Sequence, residues 1–255
     1  MGYFNTIVKP TIPASNQTGA FAQADLLFDW YGFDIPRGAA KLVGVTAVIR
    51  KTNGTAANEL PLFLLYAKSD ANGDAPSSLG TPNATVGGTG YYNNIIGKST
   101  IITKDFTEDS LDVGVHVASL QQGGADSESP AQVLQGEPDS GTNVGYDKLY
   151  VGGIAGTSGI FDFSTNVFTT GTVEGDDGSI TSLTVDNDSG GDPTATKVFA
   201  VGDVLHAEDD IVIGTVKTIA DTTITFESGL TGGDLADSEE IYNFSPITLI
   251  LSFEQ

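Results

Sequence analysis

The sequence contains no cysteine, so neither disulfides nor thiolate metal centres hold this fold together. The redox compartment is left open by the same absence. Histidine is nearly missing too. Only His116 and His206 are present, and a zinc site would have to recruit carboxylates with no local spacing to support it. Basic residues are scarce, with 11 Lys and Arg against 33 Asp and Glu and a formal net charge of −22. Nucleic-acid or anionic-membrane binding needs clustered Lys and Arg, so neither partner is expected. No stretch approaches the roughly 18 uninterrupted apolar residues of a membrane helix. The opening MGYFNTIVKP lacks a basic flank followed by an apolar core, so it does not read as a secretory signal. Its Met-Gly start with Thr6 is only a loose match to a myristoylation site.

Catalytic signatures are missing as well. There is no G-x-S-x-G elbow, and the glycine-rich residues 87–90 are followed by neither a helix nor a Lys-Ser/Thr pair. A carboxylate pair for hydrolysis is a spatial feature, and 33 acids make coincidental pairs certain. The protein is therefore expected not to be an enzyme and to carry no cofactor, with Ca²⁺ the one ion for which residues can be named.

What is present favours pleated structure. There are 32 glycines, and Thr, Val and Ile are abundant, a mixture that disfavours helices and suits sheets. Residues 25–50 organise the chain: an apolar run ends at Trp30, the only tryptophan, the turn Asp34-Ile35-Pro36-Arg37-Gly38 follows, and a second apolar run leads to Ile49. Proline presets a turn and glycine permits positive φ, so the two runs read as strands of one β core joined by a chain reversal. Further strands are expected at 3–9, 60–68, 111–120, 132–134, 148–154 and 160–168, with a strand pair over 91–103. The run at 60–68 and the terminal one at 246–253 are apolar enough to be central. Long polar connections at 69–90 and 123–141 separate them.

Composition shifts near Gly171. Residues 172–243 hold 16 acids against Lys197 and Lys217, a balance of about −14. Short strands recur there at 182–185, 197–201, 204–207, 211–219, 223–226 and 240–242, a cadence that suggests a small barrel. The expected architecture is all-β: an antiparallel, jelly-roll-like β-sandwich from 1–171 plus 244–255, with an acidic barrel-like module, 172–243, inserted before the last strand.

Three groups of residues are candidates for binding. Asp186, Asp188 and Asp192 alternate in DNDSGGD, the opening pattern of a calcium loop, but position 5 is Gly190 and position 12 is Lys197, so an EF-hand is excluded and only a looser Ca²⁺ site or an acidic hairpin remains. Asp70, Asn72 and Asp74 repeat that spacing without the required glycine, and a turn suits them better. Trp30, Tyr91 and Tyr92, with Tyr31, offer aromatic faces for sugar stacking; the competing reading has Trp30 anchoring the core and the tyrosines lining strand edges.

Residues 28–54 (FDWYGFDIPRGAAKLVGVTAVIRKTNG), 65–84 (LYAKSDANGDAPSSLGTPNA) and 244–255 (FSPITLILSFEQ) resemble segments of virion structural proteins of marine tailed phages, especially those infecting cyanobacteria. The acidic module is similar to small β barrels appended to phage particle proteins. The resemblance implies a capsid decoration or cement protein, or else a tail or fibre component. It further implies the major capsid protein or other virion proteins as partners, a homo-oligomer with a trimer favoured, and a place on the capsid surface after synthesis in the host cytoplasm. A carbohydrate-binding module of a fibre is the competing expectation.

Overall fold

A computed structural model describes residues 2–36, 38–50, 61–101, 115–121, 131–137, 146–156, 161–175, 178–187, 195–230 and 232–255. The first half of the chain supplies β1 (Tyr3–Val8), β2 (Leu26–Asp34), β3 (Ala39–Arg50), β4 (Leu62–Lys68), β5 (Ile95–Ile101), β6 (Val115–Gln121), β7 (Gln132–Gln135) and β8 (Lys148–Ala155). The second half supplies β9 (Val167–Thr169), β10 (Ser182–Asn187), the helical turn α1 (Ala195–Val198), β11 (Val204–Ala207), β12 (Val212–Ala220), β13 (Thr223–Phe226), β14 (Ile241–Asn243) and β15 (Ile247–Glu254). The fold is all-β, as composition predicted, and every strand pair is antiparallel.

Two sheets enclose the main core. One runs β1-β15-β3-β6, with β7 on the start of β3; the other runs β2-β8-β4-β5. The expectation that β15 is central holds, since it lies between β1 and β3, and β4 is likewise interior to its sheet. Strand alternation does the rest. Ile247, Leu249, Leu251 and Phe253 of β15 are fully buried while their neighbours in sequence are not. Each such side chain contributes about 1.5–3 kcal/mol through removal from water. Phe253 stacks on Phe4 at 5.1 Å within its own sheet and on Phe33 of the opposite sheet at 6.1 Å, so it ties the two layers together.

The stretch 25–50 turns out to be the crossing between those layers. β2 and β3 do not pair; they face each other from opposite sheets and share one core. Gly38 has φ +101°, a region closed to most side chains, and it is held by its N–H to Tyr146 O and by its own carbonyl to Gly136 N–H. Proline and glycine thus mark a reversal, but one that changes sheets.

The acidic residues build a third sheet of order β14-β11-β12-β13-β10-β9. Its ends nearly meet. Phe168 bridges Glu240, Thr169 N–H donates to Glu239 O at 2.8 Å and Ser238 N–H donates to Thr169 O at 3.0 Å, which makes a nearly closed barrel. Leu183, Val185, Leu205, Val216, Ile224, Phe226 and Leu235 fill it as a cluster separate from the sandwich core. The barrel sheet begins at Val167, earlier than the change in composition. Val167 and Phe168 are as apolar as the sandwich strands, yet their ladder partners are Asn187 and Asp186.

Three local expectations change. Residues 197–201 do not form a strand. Ala195, Val198 and Phe199 recur at helical spacing, all three are buried, and Phe199 N–H donates to Ala195 O at 2.9 Å, so the segment forms one helical turn. Residues 91–101 give a 3-10 turn at Tyr92–Asn94 and the single strand β5 in place of a pair, and 102–103 lie outside the described residues. Residues 161–166 cross between bodies without joining a ladder: Phe161 and Phe163 are buried in the sandwich core and Val167 in the barrel core. No helix among the described residues is long and apolar enough to cross a membrane.

Candidate functional site

An acidic groove lies on the barrel. Glu208 and Asp209 follow β11, and Asp234, Ala236, Asp237, Ser238 and Glu239 precede β14; together they line an open groove of about 620 Å³. These carboxylates accept from backbone donors, two within their own turns and two across to residues 171 and 175. Asp209 accepts from Ile211 N–H at 3.1 Å, Asp234 from Gly175 N–H at 3.0 Å, Asp237 from Gly171 N–H at 2.7 Å and Glu239 from Ala236 N–H at 2.8 Å. Asp209 and Glu239 satisfy backbone donors of their own turns, and Asp234 and Asp237 tie their segment to residues 171–175. No group of three or more metal-ligating side chains comes together among the described residues.

Of the proposed calcium residues only Asp186 is described. Asp186 lies on β10, paired with Phe168. Asp188 and Asp192 lie outside the described residues. Asp70 closes a turn: its Oδ1 accepts from Asn72 N–H at 2.8 Å and Asp74 N–H at 2.9 Å. That is the turn reading of SDANGDAP.

The aromatic group has a structural task. Residues 69–94 fold over the outer face of the β2-β8-β4-β5 sheet, where Leu79 and Tyr91 are buried with Leu26, and Trp30 packs against them. Trp30 is half-buried and donates its indole N–H to Ser77 O at 3.0 Å, pinning the connection. It meets Tyr91 edge-on at 68°, and Tyr91 meets Tyr92 at 84°. These perpendicular rings do not present a common flat face. Tyr91 is 5% exposed and its hydroxyl pKa is raised by burial first, then by the neighbouring Tyr92. Tyr92, 59% exposed, is the ring of the three that fully faces solvent.

No protein-family model matches the chain, and no curated protein is similar to it.

A third group was not singled out by sequence: the polar junction between barrel and sandwich. Ser15 donates its backbone N–H and its hydroxyl to the two carboxylate oxygens of Asp210, at 3.2 and 2.6 Å. Gln17, fully buried, donates to Ile12 O at 2.6 Å and to Asn243 O at 3.0 Å. Arg50 pairs with Asp203, which also accepts from Ala200 N–H at 2.8 Å. Ile12 N–H donates to Phe244 O at 2.9 Å. Glu240 ties down the crossing chain, accepting from Thr165 and Asn166 N–H at 2.7 and 2.9 Å and from the Tyr242 hydroxyl at 2.6 Å. Burial first, and then the Glu240 carboxylate, push the Tyr242 hydroxyl far above its ordinary range.

His206 sits in the same region. It is 4% exposed and stacks on Phe244 at 3.8 Å, and it lies opposite Tyr242 in the ladder, so the two rings share a face. Neither His206 ring nitrogen has a hydrogen-bond partner among the described residues. Burial pushes its pKa below 6.5, opposed by the charge and backbone of Asp210. Gln17, Asp203, Asp210 and His206 looked like ordinary surface polar residues because their partners are distant in sequence. The histidine alone carried a signal, an ionisable residue inside the apolar strand VLHA.

Proposed function

We propose that this chain is a non-enzymatic structural component of a virus particle, a decoration protein that stabilises the head of a tailed phage by binding its major capsid protein. The observation that carries the reading is spatial. The three separated stretches with a virion-protein resemblance, 28–54, 65–84 and 244–255, supply β2 and β3, β4 with its following connection, and β15. β15 pairs with β3 along its whole length, and Ser77 and Leu79 of the connection bond Trp30 and Asp29 of β2. The resemblance therefore falls on one packed body and not on scattered fragments.

Charge and chemistry agree with a structural role. Acids of the barrel groove bond backbone donors within the barrel module, and the carboxylates at the junction hold the two bodies to each other. The partner surface on the capsid would be neutral or basic, given a net charge of −22. Repeated weak contacts on a symmetric shell reach high avidity without a large interface for each copy. A fibre-borne carbohydrate module is the second reading, favoured by the 59% exposure of Tyr92 beside Tyr91 and Trp30.

The deciding experiment adds purified protein to capsids lacking decoration. Saturable binding and a raised capsid disassembly temperature are expected. Absence of binding by protein with an intact far-UV circular dichroism spectrum would overturn the proposal. A glycan-dependent quench of Trp30 fluorescence in the same preparation would move the assignment to the second reading.

A further inference from the structure

An open sheet edge carries unpaired backbone donors and acceptors, and folded proteins usually cover or blunt it. Most edges here are occupied. Along β2, Leu26 N–H donates to Ala84 O at 2.9 Å and Asn83 N–H donates to Leu26 O at 2.8 Å. β5 is capped by the Gln132 side chain, whose Nε2 donates to Lys98 O at 2.8 Å while its Oε1 accepts from Lys98 N–H at 3.2 Å. The barrel ends are joined through Thr169 and Glu239.

β1 is different. Gly2 and Gln255 exchange backbone hydrogen bonds at 3.1 and 2.9 Å, which sets the phase of the β1–β15 ladder. Gly2, Phe4, Thr6 and Val8 therefore bond toward β15, and the N–H and C=O of Tyr3, Asn5 and Ile7 point away from the sheet. None of those backbone groups has a partner among the described residues. The same three side chains face solvent, with Tyr3 73% and Ile7 63% exposed. Proline, charge and bulge, the usual protections of an edge, are all missing from residues 3–8, whose register is unbroken.

We propose that β1 is a self-association edge, where a second copy of this chain adds its own β1 antiparallel about a two-fold axis at Asn5. The strand is complementary to itself. Tyr3 falls opposite Ile7 of the second copy and Asn5 opposite Asn5, so donors meet acceptors at every pair and each pair exchanges two N–H···O bonds. An aromatic ring meets a β-branched side chain on both sides of the axis, a favourable cross-strand combination. Electrostatics favours this site over others. Two chains of charge −22 repel, yet residues 3–8 are uncharged, and the adjacent Glu254 is paired with Lys41 at 3.4 Å. The contact is isologous and closes at two copies. It predicts a dimer, not the trimer implied by the virion resemblance, and it does not depend on the capsid assignment.

The test uses the cysteine-free background. Asn5→Cys introduces the sole thiol, and a hydrogen-bonded antiparallel pair places Cα atoms about 5.5 Å apart, within disulfide reach. Mild oxidation is expected to give a disulfide-linked dimer from Asn5→Cys and none from Val201→Cys, a control site 69% exposed on the barrel. Sedimentation of the unmodified chain is expected to show a monomer–dimer equilibrium. Asn5→Lys, which keeps the β1–β15 ladder and sets two cations directly opposite each other on the axis, is expected to weaken that equilibrium at least tenfold with an unchanged circular dichroism spectrum. Three results each overturn the proposal: a monomer at every concentration, as when the edge takes a strand from a different protein; a trimer; or a dimer that neither cross-links through Asn5→Cys nor responds to Asn5→Lys.

Discussion

His206 makes the stability of the barrel–sandwich junction depend on pH, with a sign fixed by its surroundings. Its pKa is lowered in the folded chain by burial against Phe244. The unfolded chain, with an ordinary value near 6.5, therefore binds more protons as the pH falls through that value. Stability from neutral His206 is fully present above about pH 6.5 and is lost progressively below it, down to the folded-state pKa. Asp210 opposes the loss without cancelling it, because Ser15 already engages both its carboxylate oxygens. One proton sets the limiting slope at about 1.4 kcal/mol per pH unit. For a chain of this size, each 1 kcal/mol moves the melting temperature by about 2–4 °C. The assay compares urea unfolding of the wild type and His206→Phe between pH 7.5 and 5.0. The phenyl ring retains the stack on Phe244 and cannot titrate. His116 and every carboxylate are common to both proteins, so the difference between the two curves isolates His206. The wild type is expected to lose stability relative to the variant below pH 6.5, with a slope approaching one proton. Parallel curves across the range would refute the reasoning.

Two packing predictions follow. Phe253→Ala removes a fully buried ring that stacks on Phe4 and Phe33 from both layers, and should cost about 3–5 kcal/mol, read as a shift in the urea midpoint. A loss below about 1 kcal/mol would mean that the layers are not joined there. Gly229→Ala places a methyl group against the backbone carbonyl of Gly178, which cannot swing aside as a side chain would. The barrel should lose amide-exchange protection in β10 and β13 while β3 and β15 keep theirs; equal loss in both bodies would show that they unfold as one unit.

The sandwich strands were legible because their signals are local. PITLILSF alternates and DIPRG punctuates, and in the barrel too β11 and β13 begin and end where periodicity places them. Errors arose where one pattern served two structures. KVFAV is apolar enough for a strand, yet positions 195, 198 and 199 also trace one face of a helix, and burial of that face decided the outcome. Val167-Phe168 has the composition of the sandwich and the hydrogen bonds of the barrel, since a ladder partner near residue 186 leaves no trace at 167.

Function was less legible for a related physical reason. A carboxylate that accepts a hydrogen bond in its own turn and one that grips a distant residue are identical in sequence. Asp209, bonded to Ile211, and Asp210, bonded to Ser15, are adjacent members of one acidic run with opposite roles. Net charge therefore conceals the acids that hold the barrel to the sandwich. Trp30 illustrates the converse. Its ring read as either a core anchor or a sugar platform, and in the fold the carbonyl of Ser77 takes its indole N–H while Tyr91 meets it edge-on. The strand with the strongest case for a partner, β1, drew no functional attention because nothing in YFNTIV is chemically reactive. Its capacity lies in backbone groups that every residue carries, and they matter there because none of the described strands, loops or side chains has taken them.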